Sequence, residues 1–159
     1  MTKLLKTGLP VIFILILLNA GSCKNAENDV IPDVYVSFEM DILNDIEFRD
    51  LSITNNHVIV TAATNNWGHG AAGFNDNGII VYRSLPDEFN AYDRTCPHDY
   101  VRDGSSVKVN VDFTVAVCPR CSTVYALSAF GTPVSGPGKY PLKNYKTRFD
   151  GQYVSVWNQ

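Results

Sequence analysis

The sequence is short of positive charge, of charge altogether and of cysteine. Lys plus Arg number 13 against 16 Asp plus Glu, a net charge of −3. No basic surface is available to neutralise phosphates, so nucleic acid is not an expected partner. Charged residues make up only 18% and hydrophobic ones 45%, which excludes a disordered chain and fits one packed domain. A membrane-spanning helix needs about 20 apolar residues, whereas the N-terminal run Leu9 to Leu18 has ten and contains Pro10. There is no glycine-rich phosphate loop, nucleophile elbow or metalloprotease helix, and no internal repeat. Past the N-terminal segment, no stretch holds an i, i+3, i+4, i+7 apolar pattern for three turns, so no long helix is expected.

What is present begins with an export signal. Lys3 and Lys6 precede the short apolar run, and Ala20-Gly21-Ser22-Cys23 follows it. This order of features defines a secretory signal over residues 1–22. There is no arginine pair of the kind that marks the twin-arginine route. Small residues ending in Cys resemble the lipobox of bacterial lipoproteins, with Ala20 where that family more often has Leu. The resemblance implies acylation of Cys23, a lipid bilayer as partner and a place on a membrane of the bacterial cell envelope. The alternative is an ordinary signal peptide with Cys23 as a bystander thiol. Removing 22 residues leaves 159 − 22 = 137, and losing two lysines and no acids shifts the net charge to 11 − 16 = −5. Residues 23–33 are polar and end near Pro32, which reads as a flexible tether.

The remainder, 34–159, reads as strands. Val34, Val36, Phe38 and Met40 alternate with polar or small residues, as do Val107 through Val117, and period two marks a half-buried strand. Shorter candidates are Phe48 to Ile53, His57 to Ala63, Ile79 to Arg83, Glu88 to Tyr92, Thr123 to Leu127, Lys143 to Phe149 and Tyr153 to Trp157. Asp150-Gly151 between the last two supplies the positive φ of a tight hairpin. The expectation is an all-β antiparallel sandwich or small barrel.

Two clusters fall at strand ends. Cys96-Pro97-His98 follows one strand, and Cys118-Pro119-Arg120-Cys121 follows another, with 19 residues between His98 and Cys118. Each places two soft ligands in a Pro-bearing turn, which lets both side chains point to one side. Three sulfurs and one imidazole suit zinc or an iron–sulfur cluster and suit magnesium or calcium badly.

At these residues the chain resembles the Rieske-type [2Fe-2S] family, which carries C-x-H in one loop and C-x-x-H in the next. The resemblance extends over Gly78 to Arg83 and Phe89 to Asp93 before the first loop. After the second it takes in Gly131, Pro133-Val134, Gly136-Pro137, Pro141-Leu142 and Tyr145, so that it covers roughly the last half of the chain. It implies a Rieske-like β fold with two metal-binding loops. The implied ligands are Cys96 and Cys118 on one iron, and His98 and Cys121 on the other. The implied function is one-electron transfer through a [2Fe-2S] cluster to a redox partner protein. Three positions depart from the family. Cys121 replaces the second histidine, Ser122 replaces the usual following glycine, and Tyr100 sits where the first loop often has glycine. A domain this small leaves no second site for substrate, so an electron-transfer or binding protein is expected rather than an enzyme.

Alternatives to the cluster are a single zinc ion, a metal-free binding module, and a Cys118–Cys121 disulfide. A thioredoxin-type C-x-x-C should open a helix, whereas Ser122 to Tyr125 reads as a strand. Geometry separates the metals. One tetrahedral zinc requires every sulfur pair to be about 3.8 Å apart. A two-iron cluster pairs Cys96 with Cys118 and His98 with Cys121, with cross-pair separations on the order of 6 Å. Lone His57 and His69 read as surface or locally bonded residues. Asp41, Asp45, Glu47 and Asp50 read as a solvated face, and Tyr82, Phe89, Tyr92, Tyr125 and Tyr145 as core aromatics.

Overall fold

The computed structural model describes residues 30–158, so the signal segment and Cys23 lie outside the described residues. Among the described residues, ten strands form two antiparallel sheets. The larger runs β1 (Ser37–Asp41), β10 (Tyr153–Trp157), β9 (Asn144–Phe149), β4 (Glu88–Asp93), β3 (Ile79–Leu85) and β2 (His57–Val60) in spatial order. The smaller, β5 (Asn110–Asp112), β6 (Val115–Val117), β7 (Val124–Ala126) and β8 (Thr132–Ser135), is inserted in the chain between β4 and β9. The fold is thus all-β, as expected, with both cysteine clusters carried on the inserted part. Among the described residues, no helix is long and apolar enough to cross a membrane.

Two cores meet at β3. Its run Ile79-Ile80-Val81-Tyr82 is fully buried because both faces of the strand are covered, the condition that turns alternation into a continuous apolar run. Ile79 and Val81 face the core built from β1, β10 and Phe48, Leu51 and Phe89. Ile80 and Tyr82 face a second core with Tyr92, Val109, Ala116, Tyr125, Leu127 and Leu142, which also contains Cys96 and Cys118. At the end of β4 the buried Asp93 carboxylate accepts from Phe74 N (2.6 Å), Tyr145 Oη (2.7 Å) and Thr95 N (2.8 Å). These bonds fix where the first cysteine loop leaves the sheet.

Several strand expectations stand, including the Asp150-Gly151 hairpin. Gly151 has φ +107°, and the Asp150 side chain accepts from Gln152 N and Tyr153 N. Three differ. Phe48 to Ile53 is not a strand but lies in a 3-10 helix, Ile46–Ser52, capped by the Asp45 side chain accepting from Glu47 N. Phe48 and Leu51, three apart, are its buried residues, the spacing of a three-residue turn. Val107 to Val117 is not one strand. β5 and β6 pair with Asp112 opposite Val115, so Phe113 and Thr114 form a turn inside an unbroken apolar alternation. Burial switches parity there, from Val109 before the turn to Ala116 after it.

The third difference is the first cysteine loop, which is a helix and not an open turn. Helix α1 (Pro97–Asp103) has Pro in its first turn, Asp99 at the same end, and Gly104 in the left-handed conformation closing it. This is the usual chemistry of a short helix's start and stop. Tyr100 packs edge-on against Phe74 at 5.3 Å. Beside Asp93, whose N–H donates to Lys143 O at 2.9 Å, the buried Lys143 ammonium donates to Ile31 O at 3.0 Å and pairs with Asp33 at 2.7 Å. Residues 31–33, within the segment expected as tether, are therefore held against the domain.

Candidate metal centre

Each ligand position follows from its local backbone. Cys96 immediately precedes α1 and its N–H donates to Val107 O at 2.8 Å. Cys118 and Cys121 sit in the turn between β6 and β7, closed by Ser122 N to Cys118 O (3.0 Å) and Cys118 N to Thr123 O (2.9 Å). Ser122 takes φ +60°, the left-handed conformation for which glycine is the usual residue. Segment 136–138 lies against this turn. A Cβ at Gly136, whose φ is +88°, would meet Thr123 Cα at 2.7 Å, and Gly138 N donates to Thr123 Oγ1 at 3.0 Å.

The loops bring together Cys96, Cys118, Cys121 and Asp99, with ligand atoms all within 4.8 Å of one another. Cys96 Sγ and Cys121 Sγ are 3.6 Å apart. Cys118 Sγ donates to Asp99 Oδ2 at 2.9 Å. Asp99 Oδ1 makes no hydrogen bond but lies 2.9 Å from Arg102 Nη2. Tyr125 Oη is 3.3 Å from Cys96 Sγ, and Thr123 Oγ1 is 3.1 Å from Cys121 Sγ. Further out, Arg120 pairs with Asp103 at 2.7 Å.

Among the sequence candidates, the three cysteines converge and His98 does not join their group. It is the second residue of α1 and is partly exposed. The three cysteines are free thiols with no disulfide between them. His57 and His69 belong to no ligand group among the described residues. Asp41 and Asp45 act as turn and cap acceptors.

The electrostatics are those of an enclosed thiol site. Burial pushes the Cys96 thiol up, against hydrogen bonds that favour its thiolate. Burial likewise pushes Cys118 well up, reinforced by the bond to Asp99. Burial raises the Asp99 carboxyl, but hydrogen bonds from Cys118, Cys121 and Cys96 and the Arg102 charge outweigh it and leave Asp99 below its ordinary value. Buried thiols with this protonation pattern bind a soft cation by releasing their protons to solvent.

Sequence reasoning missed Asp99, Thr123 and the sulfur-facing role of Tyr125. A signal for Asp99 was available, because Pro97 one residue after Cys96 and an acid two further on read as a helix start. Residues three apart then share one side.

The donor set tests the group implied by the resemblance. A two-iron cluster needs ligand pairs separated across bridging sulfides, on the order of 6 Å. Four donors within 4.8 Å of one another are spaced as one soft ion needs, closer together than the ligand pairs of a two-iron cluster.

No protein-family model matches the chain, and no curated protein matches it. Solved structures similar to it include the Sphingomonas yanoikuyae B1 ferredoxin, at 19% identity and TM-score 0.39, covering 52% of this chain and 76% of that one. A chain of the complex of reduced oxygenase and oxidized ferredoxin in carbazole 1,9a-dioxygenase gives 20% identity and TM-score 0.47, covering 75% and 99%. The ferredoxin of carbazole 1,9a-dioxygenase from Nocardioides aromaticivorans IC177 gives 17% and 0.40, covering 54% and 79%.

Proposed function

We propose that this chain is a metal-stapled binding module of Rieske-like fold, in which Cys96, Cys118 and Cys121 hold one zinc ion that ties α1 to the β6–β7 turn. The observation that carries this reading is the convergence of three free thiols to within 4.8 Å of one another, with Cys96 and Cys121 3.6 Å apart. Sulfurs 2.3 Å from a tetrahedral zinc lie about 3.8 Å from each other. A structural zinc makes no redox demand and stabilises the fold directly, because the unfolded chain offers no preformed site.

The full chain, purified anaerobically, should contain one zinc per molecule and no acid-labile sulfide. Chelation should lower Tm by about 10 °C or more. The second reading is one-electron transfer through a [2Fe-2S] cluster on Cys96, His98, Cys118 and Cys121, with a redox protein as partner. The feature that favours it is the order of the two loops within a Rieske-like fold. Two irons and two sulfides per chain, with an EPR signal on reduction, would replace the zinc reading by this one.

The same proposal places the domain on a membrane of the bacterial cell envelope, tethered through acylated Cys23. With Ile31 held by Lys143, the seven residues 24–30 allow a reach of at most about 25 Å. Wild-type protein should sediment with membranes and Cys23→Ser should not. Unmodified wild-type protein in the soluble fraction would remove the tether from the proposal.

A further inference from the structure

The geometry points to Asp99 Oδ2, and not His98, as the fourth ligand of a single ion held by Cys96, Cys118 and Cys121. The inference rests on the zinc reading and specifies its coordination as three thiolates and one carboxylate.

Four observations support it. Asp99 is fully buried, and a carboxylate is rarely buried without a charge or metal to meet it. Its two oxygens are divided between two tasks, with Oδ2 turned to the Cys118 sulfur at 2.9 Å and Oδ1 held by Arg102 at 2.9 Å. An oxygen anchored from behind leaves the other to bind one metal in monodentate fashion, the outer-shell arrangement that orients a ligand. The hydrogen bond that occupies Oδ2 is donated by a thiol whose proton must leave when an ion binds, so metal entry frees Oδ2 as it makes the Cys118 thiolate. Finally, α1 places Cys96 and Asp99 three residues apart on one side and gives Arg102 the next position on that side. His98, one residue off that register, is partly exposed and outside the group.

Charge is consistent with this arrangement. Three thiolates and a carboxylate around a divalent ion leave −2. Arg102 and Arg120 stand on the outside with Asp103 between them, a ring of net +1 that offsets half of it.

The test uses the full chain loaded with zinc. X-ray absorption at the zinc edge should fit three sulfurs near 2.3 Å and one oxygen near 2.0 Å, without the outer-shell scattering of an imidazole ring. Competition against a chromophoric chelator should show Asp99→Ala and Asp99→Asn binding zinc about 100-fold more weakly than wild type, and His98→Ala within about threefold. Asp99→Cys, which supplies a new ligand, should recover most of the affinity, a rescue that a purely structural role for the carboxylate does not produce. Imidazole scattering together with a large loss in His98→Ala would overturn the assignment in favour of His98. Tight binding by wild type with no loss in either Asp99 variant would overturn this proposal alone. A wild-type chain that binds no zinc would overturn the zinc reading together with it.

Discussion

Ser122 shows how a single residue can be spent on a turn that a different residue would hold at lower cost. The turn carrying Cys118 and Cys121 needs a left-handed residue immediately after the second cysteine, and Ser122 supplies φ +60° while remaining exposed. Left-handed backbone costs an L-residue roughly 1–2 kcal/mol, partly offset in glycine by the roughly 0.5–1 kcal/mol it loses in conformational freedom. Ser122→Gly should therefore stabilise the fold by up to about 1 kcal/mol, read as a higher urea midpoint at unchanged slope. Phe113, at φ +53° and 84% exposed on the β5–β6 turn, should respond in the same direction when changed to Gly. A lower midpoint in both variants would mean that these side chains make contacts worth more than the strain. The need for a glycine-like residue after Cys121 was legible in the sequence. That Ser122 would meet it unaided was not, because backbone strain leaves no mark on residue type.

At the scale of elements, the two cysteine loops meet although they come from different parts of the chain. The sulfur–sulfur contact of Cys96 with Cys121, at 3.6 Å, spans those loops, while the Cys118 thiol is engaged with Asp99. Thiol–disulfide exchange requires a thiolate attacker and access, and burial together with the Asp99 bond holds Cys118 protonated. Metal-free protein treated with oxidised glutathione should lose two thiol hydrogens to form a Cys96–Cys121 bond, with two glutathione molecules released. Peptide mass mapping should find that cross-loop link in preference to Cys118–Cys121, and bound zinc should prevent it. A dominant Cys118–Cys121 link would show that the turn opens before it reacts. Strand positions were largely readable from period-two alternation and from Asp150-Gly151. The β5–β6 turn and α1 were not. The first keeps the alternation of residue type while reversing that of burial, and the second is too short to show a helical period over Pro97–Asp103.

At the scale of the whole molecule, both cores are closed by tyrosines with buried hydroxyls. Tyr92 donates to Leu127 O, Tyr125 lies against Cys96, and Tyr145 donates to Asp93. Burial raises the pKa of all three, and the neighbouring Asp93 charge raises Tyr145 further. In the unfolded chain each phenol titrates near its ordinary value of about 10. The folded chain keeps these protons to higher pH, so the associated stability is complete below pH ~10 and is lost as pH rises above it, where the unfolded state binds fewer protons. Three protons withheld together give a slope of about 4 kcal/mol per pH unit. A domain stable by about 5–15 kcal/mol should then unfold cooperatively within a few units above pH 10. Absorbance of phenolate and circular dichroism should report one shared transition for these residues, and Tyr145→Phe should lower the slope by about a third. Ionisation of all three phenols ahead of the loss of secondary structure would mean that water reaches the two cores before the sheets separate.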